Sequence, residues 1–184
     1  MSKMADGQNN SFASTRRGSG YTFAVLTMSD KGSRGEREDS SGAWLQQRLV
    51  EEGYELRGYK IVPDDIPTIV DELRRFVDTL RLSLIVTTGG TGVAPSDVTP
   101  EAMEQVIEKE LPGMAEAMRA ASLLKTSRAM LSRGRVGIRG TTLIVNLPGS
   151  LKAVKENLEV VLPVLPHALE KIAGGTADCG ASPE

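Results

Sequence analysis

Residues 82–100 read LSLIVTTGGTGVAPSDVTP, and this stretch decides the fold. The apolar run at 84–86 is typical of a short strand buried on both faces. The glycines that follow remove side chains, so backbone amides can come close to a ligand. Thr99, Pro100 and Glu101 then predict the start of a helix, with Thr99 as its N-cap. A strand, a glycine turn and a helix N-terminus in this order favour phosphate binding, because free amides and the helix dipole both attract anions.

Two familiar phosphate loops do not fit this segment. A Walker A loop needs a lysine near its end, and residues 82–100 contain no lysine. The dinucleotide-binding fingerprint needs a third spaced glycine, but Pro95 stands at the corresponding place. A tight strand-to-helix turn that binds no ligand remains an alternative, since the glycines at 89, 90 and 92 would also allow such a turn.

The composition is that of an ordinary globular protein. A length of 184 residues suits one domain with a full core, and a net charge of −2 gives no electrostatic reason to expect nucleic acid or an anionic membrane as a partner. The single cysteine, Cys179, excludes a disulfide within the chain and favours a reducing compartment. We find neither an export signal nor a membrane-spanning run, so a cytoplasmic location is predicted.

The distribution of polar and apolar residues predicts three parts of the chain. Residues 1–20 are rich in Ser, Gly and Asn and are predicted to form a disordered N-terminal arm. Residues 21–174 carry the apolar periodicity of a folded domain, and residues 175–184 are predicted to be a loose C-terminal tail.

Strand and helix patterns alternate through the domain. Strands are predicted at 21–28, 56–62, 84–86, 135–139 and 142–145, and helices at 39–52, 66–80, from 100 to about 111, from 114, from 150 and from 163, with a link at 126–131. The turn at Gly140 is too short for a crossover, so its two strands must run antiparallel. The sequence therefore predicts an α/β fold: a three-layer α/β/α domain whose sheet is mainly parallel, with one antiparallel strand.

Polar residues follow several of the predicted strands. Ser29 and a polar loop at 31–35 follow the first strand, Asp64 and Asp65 follow the second, and a second glycine turn at 146–150 follows the last. The carboxyl ends of parallel strands share one crevice, so these segments are expected to meet there with residues 88–92. One acid at 64–65 suffices to cap the next helix, which leaves the other without that role.

The residues of this crevice limit its chemistry. The only histidine, His167, lies in the last predicted helix, so a histidine-based metal site or dyad is excluded. Basic residues at Lys31, Arg34 and Arg37 are candidates for phosphate contacts. Acids on two different loops suit Mg²⁺, which prefers one or two carboxylates together with substrate phosphates. Phosphoryl-type transfer needs little beyond positioning and charge neutralisation, and such groups can supply both.

Several of these segments resemble motifs of the molybdopterin-binding superfamily, and the resemblance runs from about residue 21 to 174. It is strongest to the molybdopterin adenylyltransferases, a family also found as the G domain of gephyrin-like fusions. The matching segments are TGGTG at 88–92, DVTPE at 97–101, SD at 29–30, DSSG at 39–42, PD at 63–64, PGMAE at 112–116 with Arg119, SR at 132–133 and NLPGS at 146–150.

The resemblance implies a reaction and a site. ATP and molybdopterin are expected to bind side by side, and the terminal phosphate of molybdopterin to attack the α-phosphorus of ATP, which releases pyrophosphate. Asp97 is expected to hold Mg²⁺, and Asp64 to orient the pterin side or share the metal, while Asp65 caps the helix. Ser132 and Arg133 are expected to face the pterin or its phosphate. The remaining expected binding residues are Ser29, Thr88, Gly89, Gly90, Thr91, Gly92, Glu116, Asn146, Pro148, Gly149 and Ser150.

The same resemblance implies a homotrimer, with a hexamer as an alternative, and a separate downstream molybdate-insertion enzyme. Two positions depart from the family pattern: Ser96 stands where arginine is usual, and Leu151 where proline is usual. The first change removes a cation beside the expected metal. Two other functions therefore stay open. One is a molybdopterin-binding or scaffold protein without catalysis, and the other is a metal-insertion domain or a nucleotide pyrophosphatase like the competence-damage-inducible proteins.

Overall fold

The computed structural model describes residues 17–175, in which six strands form one sheet. The predictions for residues 1–16, for residues 176–184 and for Cys179 lie outside the described residues. The strands are β1 Thr22–Met28, β2 Glu55–Val62, β3 Leu84–Thr88, β4 Lys109–Glu110, β5 Val136–Arg139 and β6 Thr142–Leu147. The α-helices are α1 Asp30–Ser33, α2 Ser40–Glu51, α3 Ile66–Arg74, α4 Thr99–Glu104, α5 Pro112–Leu123, α6 Leu151–Val161 and α7 Leu165–Ile172. A π-helical turn at Arg75–Thr79 extends α3, and a 3₁₀ segment occupies Ser127–Leu131.

The sheet has the strand order β2-β1-β3-β6-β5-β4. Strands β2, β1, β3 and β6 are parallel, and β3 lies between β1 and β6 with every residue buried. Strand β5 runs antiparallel to β6 and to β4. The predicted mainly parallel sheet with one antiparallel strand is confirmed.

Two apolar clusters lie on opposite faces of the sheet, as the alternation of side chains along a strand requires. In β3, Leu84 and Val86 pack in the cluster that contains residues of α2, α5, α6 and α7. Ile85 packs in the other cluster, with residues of α3 and α4. The three-layer α/β/α arrangement predicted from the sequence is therefore confirmed.

The helix after the glycine turn is shorter than the sequence predicted. Helix α4 ends at Glu104 rather than near residue 111, and Lys109–Glu110 instead form the edge strand β4. The prediction was wrong because the apolar residues that suggested one helix lie partly in α4 and partly in the non-helical segment after it. Met103 is buried in the helix, whereas Ile107 follows it and packs over Gly137, where a Cβ atom would lie 2.4 Å from Ile107 Cγ2.

Three of the six predicted helix starts are confirmed. Asp39, Asp65 and Ser150 are the N-caps of α2, α3 and α6, and their side chains accept hydrogen bonds from Gly42 N, Thr68 N and Ala153 N. The other three starts were wrong. Helix α5 begins at Pro112 rather than at residue 114, because the first position of a helix needs no N–H and suits proline. Thr99 is the first residue of α4 rather than its cap, because Val98 takes that place, and α7 begins at Leu165 while Pro163 lies in the turn before it.

Within residues 17–175, no helix is both long and apolar enough to cross a membrane. The proposed boundaries at residues 20 and 174 remain predictions.

A buried carboxylate joins α3 to the edge strand β2. Glu72 is 5% exposed and accepts hydrogen bonds from Lys60 Nζ at 2.8 Å and Arg75 Nε at 2.8 Å. Burial alone would raise the pKa of Glu72, but the hydrogen bonds from Arg75 and Lys60 outweigh burial and lower it below the ordinary 4.5.

We predict that Glu72→Gln lowers the free energy of unfolding by about 2 kcal/mol at pH 7, since it leaves two cations without their carboxylate. Because the folded-state pKa is lowered, this contribution is complete above pH 4.5 and is lost as the pH falls through the folded pKa. Urea unfolding at pH 7 and below pH 4 measures both effects. Glu36→Gln, which removes an exposed pair with Arg34, is the control and should leave the free energy of unfolding close to that of the wild type. A mutant difference that stays constant across this pH range would contradict the account.

Candidate functional site

The segments that follow β1, β2, β3 and β6 meet at one edge of the sheet and enclose a cavity of about 350 Å³, here called the acidic cavity. Eight of the residues predicted for the site line it: Ser29, Asp64, Thr88, Gly89, Gly90, Asp97, Gly149 and Ser150. The parallel strands bring these residues together although the first, Ser29, and the last, Ser150, are more than 120 positions apart in the chain. The prediction of one shared crevice agrees with this placement.

Two carboxylates from different loops lie at the acidic cavity. Asp64 and Asp97 both line it, and Asp64 Oδ2 accepts the backbone N–H of Asp30 at 3.0 Å. The backbone N–H of Asp64 in turn donates to Asp30 Oδ1 at 3.0 Å. Burial raises the pKa of Asp64, the negative charges of Asp30 and Asp97 raise it further, and the hydrogen bond from Asp30 opposes them. The carboxylates of the site therefore repel one another, and such repulsion is common where acidic residues bind a ligand.

The floor of the acidic cavity is bare backbone. Gly89 and Gly90 have φ angles of +104° and +62°, which disfavour any residue with a side chain. A Cβ atom on Gly89 would lie 2.4 Å from the carbonyl oxygen of Met28, and one on Gly149 would lie 3.3 Å from Gly89 Cα. The two glycine turns therefore pack directly against each other.

Two hydroxyl groups hold the second glycine turn in place. Thr88 Oγ1 donates to Pro148 O at 2.6 Å, and Ser41 Oγ donates to Gly149 O at 2.9 Å. The first bond links the end of β3 to the segment after β6, and the second links that segment to the start of α2. These bonds fix the second turn to the end of β3 and to the start of α2, and their acceptors are backbone carbonyl groups.

The loop before α2 also contributes to the acidic cavity, and the sequence prediction missed most of it. Glu38 and Asp39 line the cavity with Ser41 and with Thr27, a 6% exposed residue whose hydroxyl has no hydrogen-bond partner. The DSSG segment at 39–42 was the available signal, but only Ser29 from this region was assigned to the site. Asp39 is not free to rotate, because Gly42 N and Tyr59 Oη both donate to its carboxylate at 2.8 Å.

The basic residues proposed for this region separate in the structure. Arg37 lines the acidic cavity, while Arg34 pairs with Glu36 at 2.8 Å and Lys31 is not among the lining residues. The predicted polar loop at 31–35 is also partly helical, since Asp30–Ser33 form the single turn α1, capped by Ser29. The acidic cavity therefore carries four carboxylates and one guanidinium.

A second cavity of about 240 Å³ lies on the other side of the first glycine turn. We call it the neighbouring cavity. Thr91 and Gly92 line it, directly after Gly90 of the acidic cavity. Ser132 and Pro148, also predicted for the site, line it as well, and so does Arg119, which the family resemblance included beside the 112–116 motif. Arg128 and Asn157 also line it and were not predicted. The glycine turn thus separates two adjacent spaces.

Three predicted site residues lie in neither cavity. Asn146 is 1% exposed within β6, where its Nδ2 donates to Thr87 Oγ1 at 2.9 Å. Glu116 is exposed on α5. The guanidinium of Arg133 donates to the carbonyl oxygens of Gly92 at 2.7 Å and Asp97 at 2.5 Å. Arg133 itself lines a third cavity of about 310 Å³, which shares Arg119 and Ser132 with the neighbouring cavity.

The carboxylates of the acidic cavity can bind a divalent cation only if a ligand supplies further oxygen atoms. Within residues 17–175, no group of three or more His, Cys, Asp or Glu side chains is placed to hold a metal ion. Asp64 and Asp97 supply two carboxylates to one cavity, which is the number that Mg²⁺ commonly takes from a protein when phosphate oxygens and water complete its shell. The residues present therefore fit a cation that arrives with a phosphate.

Comparison with known proteins gives a consistent result. A family model described as "Probable molybdopterin binding domain" matches residues 24–167. A molybdopterin adenylyltransferase of Helicobacter pylori is 45% identical over 83% of this chain and 88% of its own length. The molybdenum cofactor synthesis protein cinnamon of Drosophila melanogaster is 47% identical over 82% of this chain, but the chain spans only 25% of its length. Among solved structures, the molybdopterin biosynthesis enzyme MoaB of Thermus thermophilus has a TM-score of 0.79 and 50% identity, with 84% of this chain and 97% of that chain covered.

We predict that Gly89→Ala destabilises the protein by about 3 kcal/mol or more, because the new methyl group would force β1 and β3 apart at the cavity floor. Gly140→Ala is the matched control. Gly140 also has a positive φ, of +55°, but nothing lies within 4 Å of its Cβ position, so the cost should be about 1 kcal/mol. Guanidinium chloride unfolding of both variants measures the difference. Equal losses would show that crowding at the floor does not matter.

Proposed function

Because the chain belongs to the family of molybdopterin-binding domains, we propose that it catalyses the Mg-ATP-dependent adenylylation of molybdopterin in molybdenum cofactor biosynthesis. Relatives named molybdopterin adenylyltransferase, 40–45% identical over most of their length, support this enzyme class. The observation that carries the proposal is the pair of carboxylates, Asp64 and Asp97, which face one cavity above a bare-backbone turn.

The charge of the acidic cavity supports a nucleotide that enters with a divalent cation. Four carboxylates and one guanidinium repel a free triphosphate, so binding requires a positive charge between them. We assign Mg²⁺ to Asp97, with Asp64 sharing it or orienting the second substrate, and the bound ion would neutralise charge on the transferring phosphates. The Gly89 amide already donates to Leu147 O at 3.2 Å, so we assign the amide of Gly90 and the N-termini of α2 and α6 to the phosphate oxygens.

The neighbouring cavity suits the second substrate. We place molybdopterin there, against Thr91, Ser132 and Pro148, with its phosphate directed over the glycine turn towards the nucleotide. The arrangement brings two phosphate groups together from opposite sides of one turn. Holding two reactants in this way can supply much of the rate enhancement, because the entropy of bringing them together is lost on binding.

The reaction itself needs few protein groups. An oxygen of the molybdopterin phosphate forms a bond to the α-phosphorus of ATP, the bond to the β-phosphate oxygen breaks, and pyrophosphate leaves with that electron pair. The attacking oxygen of a phosphate monoester is already ionised near neutral pH, so no general base has to remove a proton. The acidic cavity accordingly contains no histidine, cysteine or lysine among its lining residues.

A non-catalytic molybdopterin-binding or scaffold protein is the second candidate. Ser96 provides no cation next to Asp97, and among residues 17–175 Arg37 is the one basic residue that lines the acidic cavity. Calorimetric titration that detects pterin binding without ATP consumption would favour this candidate. The homotrimer, the downstream molybdate-insertion enzyme and the cytoplasmic location are proposed from the family resemblance and from the composition of the chain.

We predict that Asp97→Asn and Asp64→Asn each lower the rate of pyrophosphate release from Mg-ATP and molybdopterin by about a hundredfold or more, because each removes charge that positions the cation. Asp65→Asn is the matched control. It lies beside Asp64 but caps α3 by accepting the hydrogen bond from Thr68 N, so its replacement should cost little stability and retain activity. Single-turnover rates with both substrates saturating measure the effect.

Two results would contradict the proposal. Wild-type protein that binds both substrates but releases no pyrophosphate would exclude catalysis in favour of the binding protein. An unchanged rate in Asp97→Asn, with both substrates still bound, would remove that carboxylate from the reaction.

A further inference from the structure

The loop that carries Asp97 has little structure of its own. Residues 92–98 lie between β3 and α4 outside any helix or strand, and residues 93–96 are exposed. The loop is closed on itself by two hydrogen bonds, from Asp97 N to Ala94 O at 2.9 Å and from Ala94 N to Asp97 Oδ2 at 2.8 Å. These bonds shape the turn, but they do not fix it relative to the rest of the protein.

Val98, at the end of the loop, packs against the apolar cluster of α3 and α4, and one side chain from another part of the fold forms hydrogen bonds with the rest of the loop. The Nε of Arg133 donates to Gly92 O at 2.7 Å, and its Nη2 donates to Asp97 O at 2.5 Å. The two carbonyl groups stand at the two ends of the loop. The backbone N–H of Arg133 donates to Thr91 O at 2.8 Å, so the attachment continues along the chain before the loop. A planar guanidinium can bridge such a set of acceptors, whereas an ammonium group cannot.

The first turn of α4 completes the attachment. Arg133 Nη1 forms a short hydrogen bond with Glu101 Oε1, and this hydrogen bond lowers the pKa of Glu101. The side chains of Arg133 and Glu101 are 37% and 44% exposed, so the ion pair contributes little to global stability. Its effect is instead geometric, because Glu101 fixes the plane of the guanidinium that holds both ends of the loop.

From these contacts we infer that Arg133 is a positioning residue, which sets the Asp97 carboxylate relative to Asp64 without touching either substrate. The inference rests on the proposed adenylylation. Arg133 lines a third cavity, which shares Arg119 and Ser132 with the neighbouring cavity, but it is absent from the lining of both substrate cavities. Every hydrogen bond of its guanidinium goes to the loop or to Glu101. A shift of about 1 Å in a positioning contact can cost about a hundredfold in rate, so the loss of this attachment should reach the chemical step.

The test uses the full chain and two substitutions of Arg133. Arg133→Lys keeps the positive charge but loses the planar set of guanidinium donors, and Arg133→Gln loses both. Arg135→Lys is the matched control, since Arg135 lies two residues further on and pairs with Glu110 and Glu104 without contacting the loop. The measurements are kcat and the KM for molybdopterin from pyrophosphate release, the Mg²⁺ concentration at half-maximal rate, the thermal midpoint, and hydrogen exchange of residues 92–98 in protein without substrates.

For Arg133→Lys we expect kcat to fall at least about tenfold, the half-saturating Mg²⁺ concentration to rise several-fold, and the KM for molybdopterin to change less than about twofold. Exchange of the loop amides should become faster while the thermal midpoint stays close to that of Arg135→Lys. Arg133→Gln should show larger effects of the same kind. Glu101→Gln should show smaller ones, and it keeps the inference testable if a variant of Arg133 fails to fold.

Two outcomes would overturn the inference. One is a profile of Arg133→Lys that matches Arg135→Lys in rate, Mg²⁺ dependence and exchange. The other is a loss of activity that follows the thermal midpoint with an unchanged Mg²⁺ dependence, which would mean that Arg133 only stabilises the fold. Failure of the proposed function has a different signature, because wild-type protein would then release no pyrophosphate. The exchange measurement would still decide whether Arg133 holds the loop.

Discussion

The close packing of two glycine turns at the carboxyl edge of the sheet is the contact on which the site depends. Gly89 and Gly149 come so near that a methyl group on Gly149 would touch Gly89 Cα at 3.3 Å. The hydrogen bond from Thr88 Oγ1 to Pro148 O maintains this approach. Since β3 and β6 are neighbours in the sheet, their turns are brought side by side, and two cavities form on either side of them. Larger side chains here would fill the space that a ligand needs.

The acidic cavity illustrates a conflict between stability and binding. Asp64 lies partly buried next to Asp30 and Asp97, and burial together with these like charges raises its pKa. Glu72 shows the opposite case, because Arg75 and Lys60 satisfy its buried carboxylate and lower its pKa. The Glu72 carboxylate, which stabilises the fold, is paired with cations of the protein. The Asp64 carboxylate, which lies near other carboxylates, is suited to a cation that a ligand brings.

The sequence predicted those parts of the fold that depend on local signals. The buried run at 84–86 and the tight turn at Gly140 identify a central strand and an antiparallel pair without reference to the rest of the chain. The edge strand Lys109–Glu110 was missed because two charged residues become a strand only by pairing with β5. The site residues were likewise predicted only where a local signal marked them. The strand end predicted one functional acid at 64–65, and the family resemblance assigned it to Asp64. Glu38 instead lies in a polar loop whose sequence does not distinguish a lining residue from a solvated one.

The segment Ser132–Arg133 links the two cavities through the backbone. Ser132 lines the neighbouring cavity, while the next residue holds the loop of Asp97, which lines the acidic cavity. The hydrogen bond from Arg133 N to Thr91 O fixes this segment to the glycine turn between them. A displacement on the pterin side would therefore move the guanidinium, and with it the proposed metal-binding carboxylate. This gives the two proposed substrate sites a short physical connection, because the same two residues contact the boundary of one and position the acid of the other.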